Sequence, residues 1–260
     1  MEALFAIRGA LSKRVSTTLE VVGILFLISL WQLICSTGVI TPQLLPSPMS
    51  VLSAFPDLHF KDALVRNLGY SMYLNGVGFA EAIIICLPIG FLIGLFPIFN
   101  KMFSKSIDST RFLPLTAVTG LFIAWFGLED TMKIQFLTLG VVVYLLPTVV
   151  QRVREVPEVY QQTAFTLGGS KWQMFTTVFF PHVIRKLVND IRVLIAISWT
   201  YIIVAECINN TGGIGALCFI SARQGRIDKV FALLFVIILV GFIQDKIFEA
   251  IDKALNNGNS

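Results

Sequence analysis

Charge is what this chain has least of. Charged residues make up 14% of its 260 positions, against about 25% in a soluble domain. Hydrophobic residues reach 55%, and the mean hydropathy is +0.78. An ordinary soluble fold is excluded, and the length allows several membrane crossings. Histidine is nearly absent: His59 and His182 are too far apart in sequence to suggest a metal site. His182 follows Pro181 at a helix boundary and reads as a polar residue near the membrane surface. Cys35, Cys86, Cys207 and Cys218 form no C-x-x-C pair, so metal and redox chemistry find no support. A Cys207–Cys218 disulfide and buried thiols both fit the spacing. No Gly-Lys pair occurs, so there is no P-loop and no ATP site of that type. H-E-x-x-H and G-x-S-x-G are missing too, which leaves a membrane enzyme without a constellation. The Gly212-Gly213-Ile214-Gly215 run lacks the βαβ context of a dinucleotide loop. The net charge of +4 reports loop bias in a membrane protein, not nucleic-acid binding.

What is there is a series of apolar runs. No charge appears between Glu20 and Asp57, and Val21 to Ile34 reads as a first transmembrane helix after a basic lead-in of Arg8, Lys13 and Arg14. This run also has the outline of a signal peptide, but further spans follow. The four prolines of TPQLLPSPMSVLSAFP predict irregular chain outside the membrane core. Asp57 to Arg66 is a short amphipathic stretch. A second span covers Ser71 to Phe96, with a small-xxx-small pair at Gly90 and Gly94 and a carboxylate, Glu81, inside it. Lys101, Lys105 and Arg111 mark a basic loop. Phe112–Leu128 and Ile134–Val150 are the third and fourth spans, Asp190–Cys207 the fifth, and Val230 to about Ala250 the sixth. The Gly-rich stretch before the sixth is expected to be re-entrant or interfacial. The fold class is therefore all-α: a polytopic helical bundle forming one transmembrane domain over residues 1–260. No soluble domain and no internal repeat is visible, and many secondary transporters show such repeats.

One more polar island interrupts this pattern, PEVYQQTAFTLGGSKWQMFTTVFFP from Pro157 to Pro181. Pro157 suits a first helical turn, and Glu158 puts a charge at the positive end of the dipole. The helix can run to Leu167, where Gly168-Gly169 allows a sharp exit. Ser170 reads as an N-cap, with Gln173 completing a capping box. The second helix carries Trp172, Phe175 and Phe179 on one face and is expected to stop at Pro181.

That island resembles the EAA loop of ABC importer permeases. The family pattern is Glu-Ala-Ala, three residues, Gly, nine residues, an aliphatic, one residue, Leu-Pro. Here Gln162-Thr163-Ala164, Gly168, Val178 and Phe180-Pro181 keep every spacing. Gln162, Thr163 and Phe180 are departures. LPSP at 45–48, AWFGLEDTMK at 124–133 and IVAECINNTGGIGAL at 203–217 resemble permeases of the nitrate, sulfonate, taurine and bicarbonate group, so the likeness covers nearly the whole chain. Asp190-Ile191-Arg192 departs from the usual Gly-Leu-Arg, keeping Arg192.

The resemblance implies an ABC type I importer permease fold and a non-catalytic subunit in a bacterial inner membrane. It implies a homodimer of permeases, two ATP-binding cassette subunits that bind the ATP and Mg, and a solute-binding protein. This chain itself is expected to bind no cofactor. A coupling loop over about residues 151–187 would engage the ATPase through Glu158, Gln162, Thr163, Ala164, Leu167, Gly168, Gly169 and Pro181. Polar residues in or beside the spans are the candidates for the translocation path: Asn75, Glu81, Thr116, Thr119, Arg192, Ser198 and Glu206. Arg192 either attracts an anion or snorkels to the inner interface. Six spans put both termini and the island on one side. Most basic residues fall there, which makes that side cytoplasmic; Arg223, Arg226 and Lys229 are the exception. The competing reading is a secondary transporter or channel without an ATPase.

Overall fold

The structure is a computed structural model that describes residues 12–209 and 211–257, with side chains to 254. Arg8 lies outside the described residues. The chain divides into two compact units, one running up to Asp62 and including Ser221–Ala232, the other made of Ala63–Ile220 with the residues from Leu233 onward.

The first unit begins with α1, Lys13–Ser36, which buries no residue. At 1.5 Å per residue its 24 residues reach about 36 Å, enough for a bilayer core of about 30 Å. The proline-rich stretch is not irregular throughout, as its composition predicts. Pro48 opens α2, Pro48–Phe60, with Ser47 accepting the Ser50 N–H at 3.2 Å, and Pro56 lies inside the helix. A proline in a first turn removes a donor that has no intrahelical partner anyway, so it starts a helix as readily as it breaks one. Trp31 donates to the Pro46 carbonyl at 3.1 Å and stacks on Phe231. Arg226 reaches Asp57 at 3.5 Å and Lys229 reaches Asp62 at 2.5 Å.

In the second unit α3, Leu64–Leu95, packs on α6, Asp130–Arg154, and α6 packs on α9, Phe180–Ile208. The core between them includes Leu74, Cys86, Leu137, Leu145, Leu187 and Ile202. A Cβ on Gly90 would lie 2.5 Å from Val149, and one on Gly94 would lie 2.6 Å from Val153. These two glycines let α3 and α6 approach closely; they do more than loosen the helix around Pro88.

Three expectations fail here for local reasons. The basic loop is a helix, α4, Pro97–Thr110, opened by a first-turn proline. The third span is not one continuous helix: Leu115–Val118 is one 3₁₀ turn and α5, Thr119–Phe126, has only eight residues. That is about 12 Å of helix, too short for a bilayer. α4 and the Leu115–Phe126 segment form a pair bent by 91°, so five described helices are long and apolar enough to cross, or six if the bent pair is one span. Nor does Pro181 end a helix. α8, Lys171–Met174, runs through a π segment, Phe175–Phe179, into α9, giving one helix from Lys171 to Ile208. The wider π turn accommodates the carbonyl that a proline leaves without a donor.

The Gly-rich stretch holds α10, Ile214–Arg223, about 15 Å long and too short to cross. The last helix, α11, is Ile227–Asn257. All four thiols are free, so Cys207 and Cys218 form no disulfide.

Candidate functional site

The island is built from the residues outward. Pro157 sits one position earlier than expected, as the cap residue, and α7 runs Glu158–Thr166. It ends in a Schellman motif: the Gly168 N–H donates to Phe165 O and the Gly169 N–H to Ala164 O, both at 2.9 Å. Gly168 has φ +75°, the left-handed conformation that this motif needs. The elbow then passes into a full capping box, with Ser170 N–H donating to Gln173 Oε1 at 2.8 Å and Gln173 N–H to Ser170 Oγ at 3.2 Å. Both ends of the bend are thus held by their own hydrogen bonds.

α7 buries none of its residues. Glu158, Gln162, Thr163, Leu167 and Gly168 are exposed, while Ala164, Gly169 and Pro181 are half-buried. Leu167 is 81% exposed and Phe165 53%. These two apolar side chains are largely uncovered. Beneath the helix, a hollow of about 1120 Å³ lies between α7 and the α8–α9 helix, lined by Tyr160, Ala164, Met174, Val178 and His182 among others.

The seven polar residues expected along a path are not gathered in one place. Asn75 and Ser198 meet: Ser198 Oγ lies 2.9 Å from Asn75 Oδ1 and 2.7 Å from Ile195 O. Glu81 accepts from Gln135 at 2.9 and 3.0 Å and from Thr138 at 2.9 Å, joining α3 to α6 without a cation. Thr119 donates to Thr116 O, its own chain three residues back. Arg192 meets Asp245 of α11 with two bonds of 2.9 Å, a forked ion pair. Glu206 is fully buried. It accepts from Ser71 at 2.6 Å and from the Gly215 N–H at 2.8 Å, so its carboxyl group sits at the N-terminus of α10.

Sequence reasoning passed over the group around Lys133. This lysine is fully buried, and its Nζ donates to Thr211 at 2.8 Å and to Tyr70 at 3.2 Å. Tyr70 in turn donates to Asp130. Lys133 and Asp130 both lie in the AWFGLEDTMK stretch or its continuation, so the one available signal was a lysine at the head of an apolar helix.

The chain is similar to several proteins of known naming. It is 27% identical over 229 residues to a putative aliphatic sulfonates transport permease protein of Bacillus subtilis, covering 88% of this chain and 83% of that one. It is 25% identical over 253 residues to the taurine transport system permease protein of Escherichia coli, covering 95% and 91%. Among solved structures, an inward-facing form of the MetNI methionine ABC transporter superimposes with a TM-score of 0.66 at 18% identity, over 74% of this chain and 95% of that one. The latter likeness is one of fold. Residues 86–257 match the family model described as the binding-protein-dependent transport system inner membrane component. The stretch includes the island and five of the seven path candidates, and the chain belongs to that family of ABC transporter permease subunits.

Proposed function

We propose that this chain is the membrane half of an ATP-driven importer for a small sulfonate, taurine or related solute. Two copies form the path, and two separate ATPase chains bind the ATP and Mg. A solute-binding protein delivers the solute on the opposite side. The whole chain works as one transmembrane domain, with residues 151–187 as its cytoplasmic coupling loop. The observation that carries this is α7: a helix capped at its elbow, with Leu167 81% exposed, is shaped to seat in another protein. Its face of Glu158, Gln162, Thr163 and Leu167 would contact the ATPase, while Ala164, Gly168 and Gly169 shape the elbow and Pro181 lines the hollow beneath it.

Asn75, Glu81, Thr116, Thr119 and Ser198 remain the candidates for the path. Arg192 and Glu206 already serve as structural ties. Counting the bent pair as a span keeps both termini and α7 on the cytoplasmic side, where the basic residues concentrate. The substrate class rests on the named relatives.

Purification from native membranes in mild detergent, with mass spectrometry of the partners, tests this. A P-loop ATPase at equal stoichiometry is the expected result. A chain that purifies alone and moves solute in liposomes without ATP would mean a secondary transporter or channel. In the same membranes, Leu167→Cys should resist impermeant thiol reagents added from outside.

A further inference from the structure

A helix that receives a push must pass it on. α7 has no buried residue, so little packing ties it to the membrane core. The chain leaves α6 at Arg154 and returns through α8 and α9, and the base of this loop is closed by one guanidinium. Arg152 Nε and Nη2 donate to Asp190 Oδ2 and Oδ1, each at 2.7 Å, while Nη1 donates to Glu155 Oε2 at 2.6 Å. Glu155 Oε1 accepts from Gln151 at 2.9 Å, and Lys186 Nζ lies 3.7 Å from Glu155 Oε2. Two cations and two carboxylates are thus balanced. Arg152 is 28% exposed and Asp190 17%, which shields the bonds from full competition by water.

The connectivity matters more than the charge count. Arg152 lies in the last turn of α6, Glu155 begins the leg that leads to α7, and Asp190 lies on α9, 38 positions further along the chain. One planar fork therefore joins both legs of the loop. A lysine at this position has a single nitrogen and cannot grip Asp190 in two places while holding Glu155.

We propose that Arg152 is a positioning residue for energy coupling: its grip on Asp190 and Glu155 makes the loop a lever, so that displacement of α7 moves α6 and α9 together. This rests on the reading of α7 as the helix that meets the ATPase.

Two measurements test it. Hydrogen exchange on the purified chain needs no partner: amides of Glu158–Thr166 should exchange faster in Arg152→Lys than in wild type. The second uses the permease purified with its own ATPase, in liposomes, with an environment-sensitive label at Val193→Cys on α9. ATP and vanadate should shift the label's emission in the otherwise wild-type complex. In Arg152→Lys the ATPase should still co-purify, while the ratio of shifted to unshifted chains falls about tenfold, equivalent to roughly 1.4 kcal/mol. Asp190→Asn, which leaves Arg152 its Glu155 bond but takes away the charge it grips on α9, should lower the shift likewise, while Lys186→Met, beside the same carboxylates but outside the fork, should leave the shift intact. The lever is overturned by unchanged exchange, by an unchanged shift in Arg152→Lys or in Asp190→Asn, by an equal loss of shift in Lys186→Met or by an absent shift in the wild-type complex. Failure of wild type to bring down any ATPase would instead sink the reading of α7.

Discussion

Glu206 occupies the space that a side chain on Gly213 would need. A Cβ built there would lie 2.2 Å from the Glu206 carboxylate, and Gly213 has φ +100°. Gly213 also donates its N–H to Asn67 at 2.8 Å. Gly213→Ala therefore meets backbone strain of about 1–3 kcal/mol and displaces a buried carboxylate from two donors. A loss of at least about 3 kcal/mol is expected, read as a lower melting temperature and poor yield in the membrane.

Glu206→Gln separates a structural tie from a path residue. The carboxylate receives donors on both oxygens, and an amide would turn its own N–H₂ toward one of them. The expected cost is about 1–3 kcal/mol. Melting temperature should fall while the KM for solute stays the same. A changed KM at unchanged stability would put Glu206 on the path.

At the elbow, Gly168 has open space around its Cβ position but a left-handed backbone, φ +75°. A bulky side chain there strains the chain without clashing inside it. Gly168→Leu should cost about 1–2 kcal/mol in local strain and weaken ATP-driven uptake. Gly168→Asn should retain most of it, because asparagine tolerates this conformation. Equal loss in both variants, measured in the reconstituted complex, would mean that the side chain obstructs docking rather than bending the elbow.

These cases show what was legible beforehand. The Schellman elbow and the capping box at Ser170 and Gln173 depend on residues within five positions, so their signals survive in the sequence alone. Pro181 was misread because a π turn upstream, sustained by packing of Phe175 and Phe180 on Phe91, accommodates it. The break in the third span was not legible because apolar composition over Phe112–Leu128 says nothing of the 91° bend. The partners of Glu206 on α3 and α10, and of Arg192 on α11, are set by tertiary register. Arg192 lies 53 positions from Asp245, a separation that no local pattern reports.

That pair predicts what Arg192 does. Its fork is filled by Asp245, which leaves little of it to attract a passing anion. Arg192→Lys should loosen α9 from α11 and lower the melting temperature by about 2–4 °C, as expected for a loss near 1 kcal/mol in a chain of this size. The KM for an anionic solute should not change. A rise in KM without a melting shift would restore Arg192 to the path.

The base of the coupling loop should respond to acid. Arg152 holds the Glu155 carboxyl below its ordinary range, helped by the Gln151 amide and the Lys186 charge. Because the folded value is depressed, the stabilisation is fully present above the unfolded value of about 4.3. It is lost as pH falls through the lowered folded value. A spin label at Thr166→Cys, on exposed α7, should keep the same mobility from neutral pH down to about 5 and loosen only below the ordinary carboxylate range. With Glu155→Gln the acid step should vanish and the label should be mobile throughout, since an amide forms no ion pair with Arg152. A wild-type acid step that survives unchanged in Glu155→Gln would overturn the assignment of the step to Glu155.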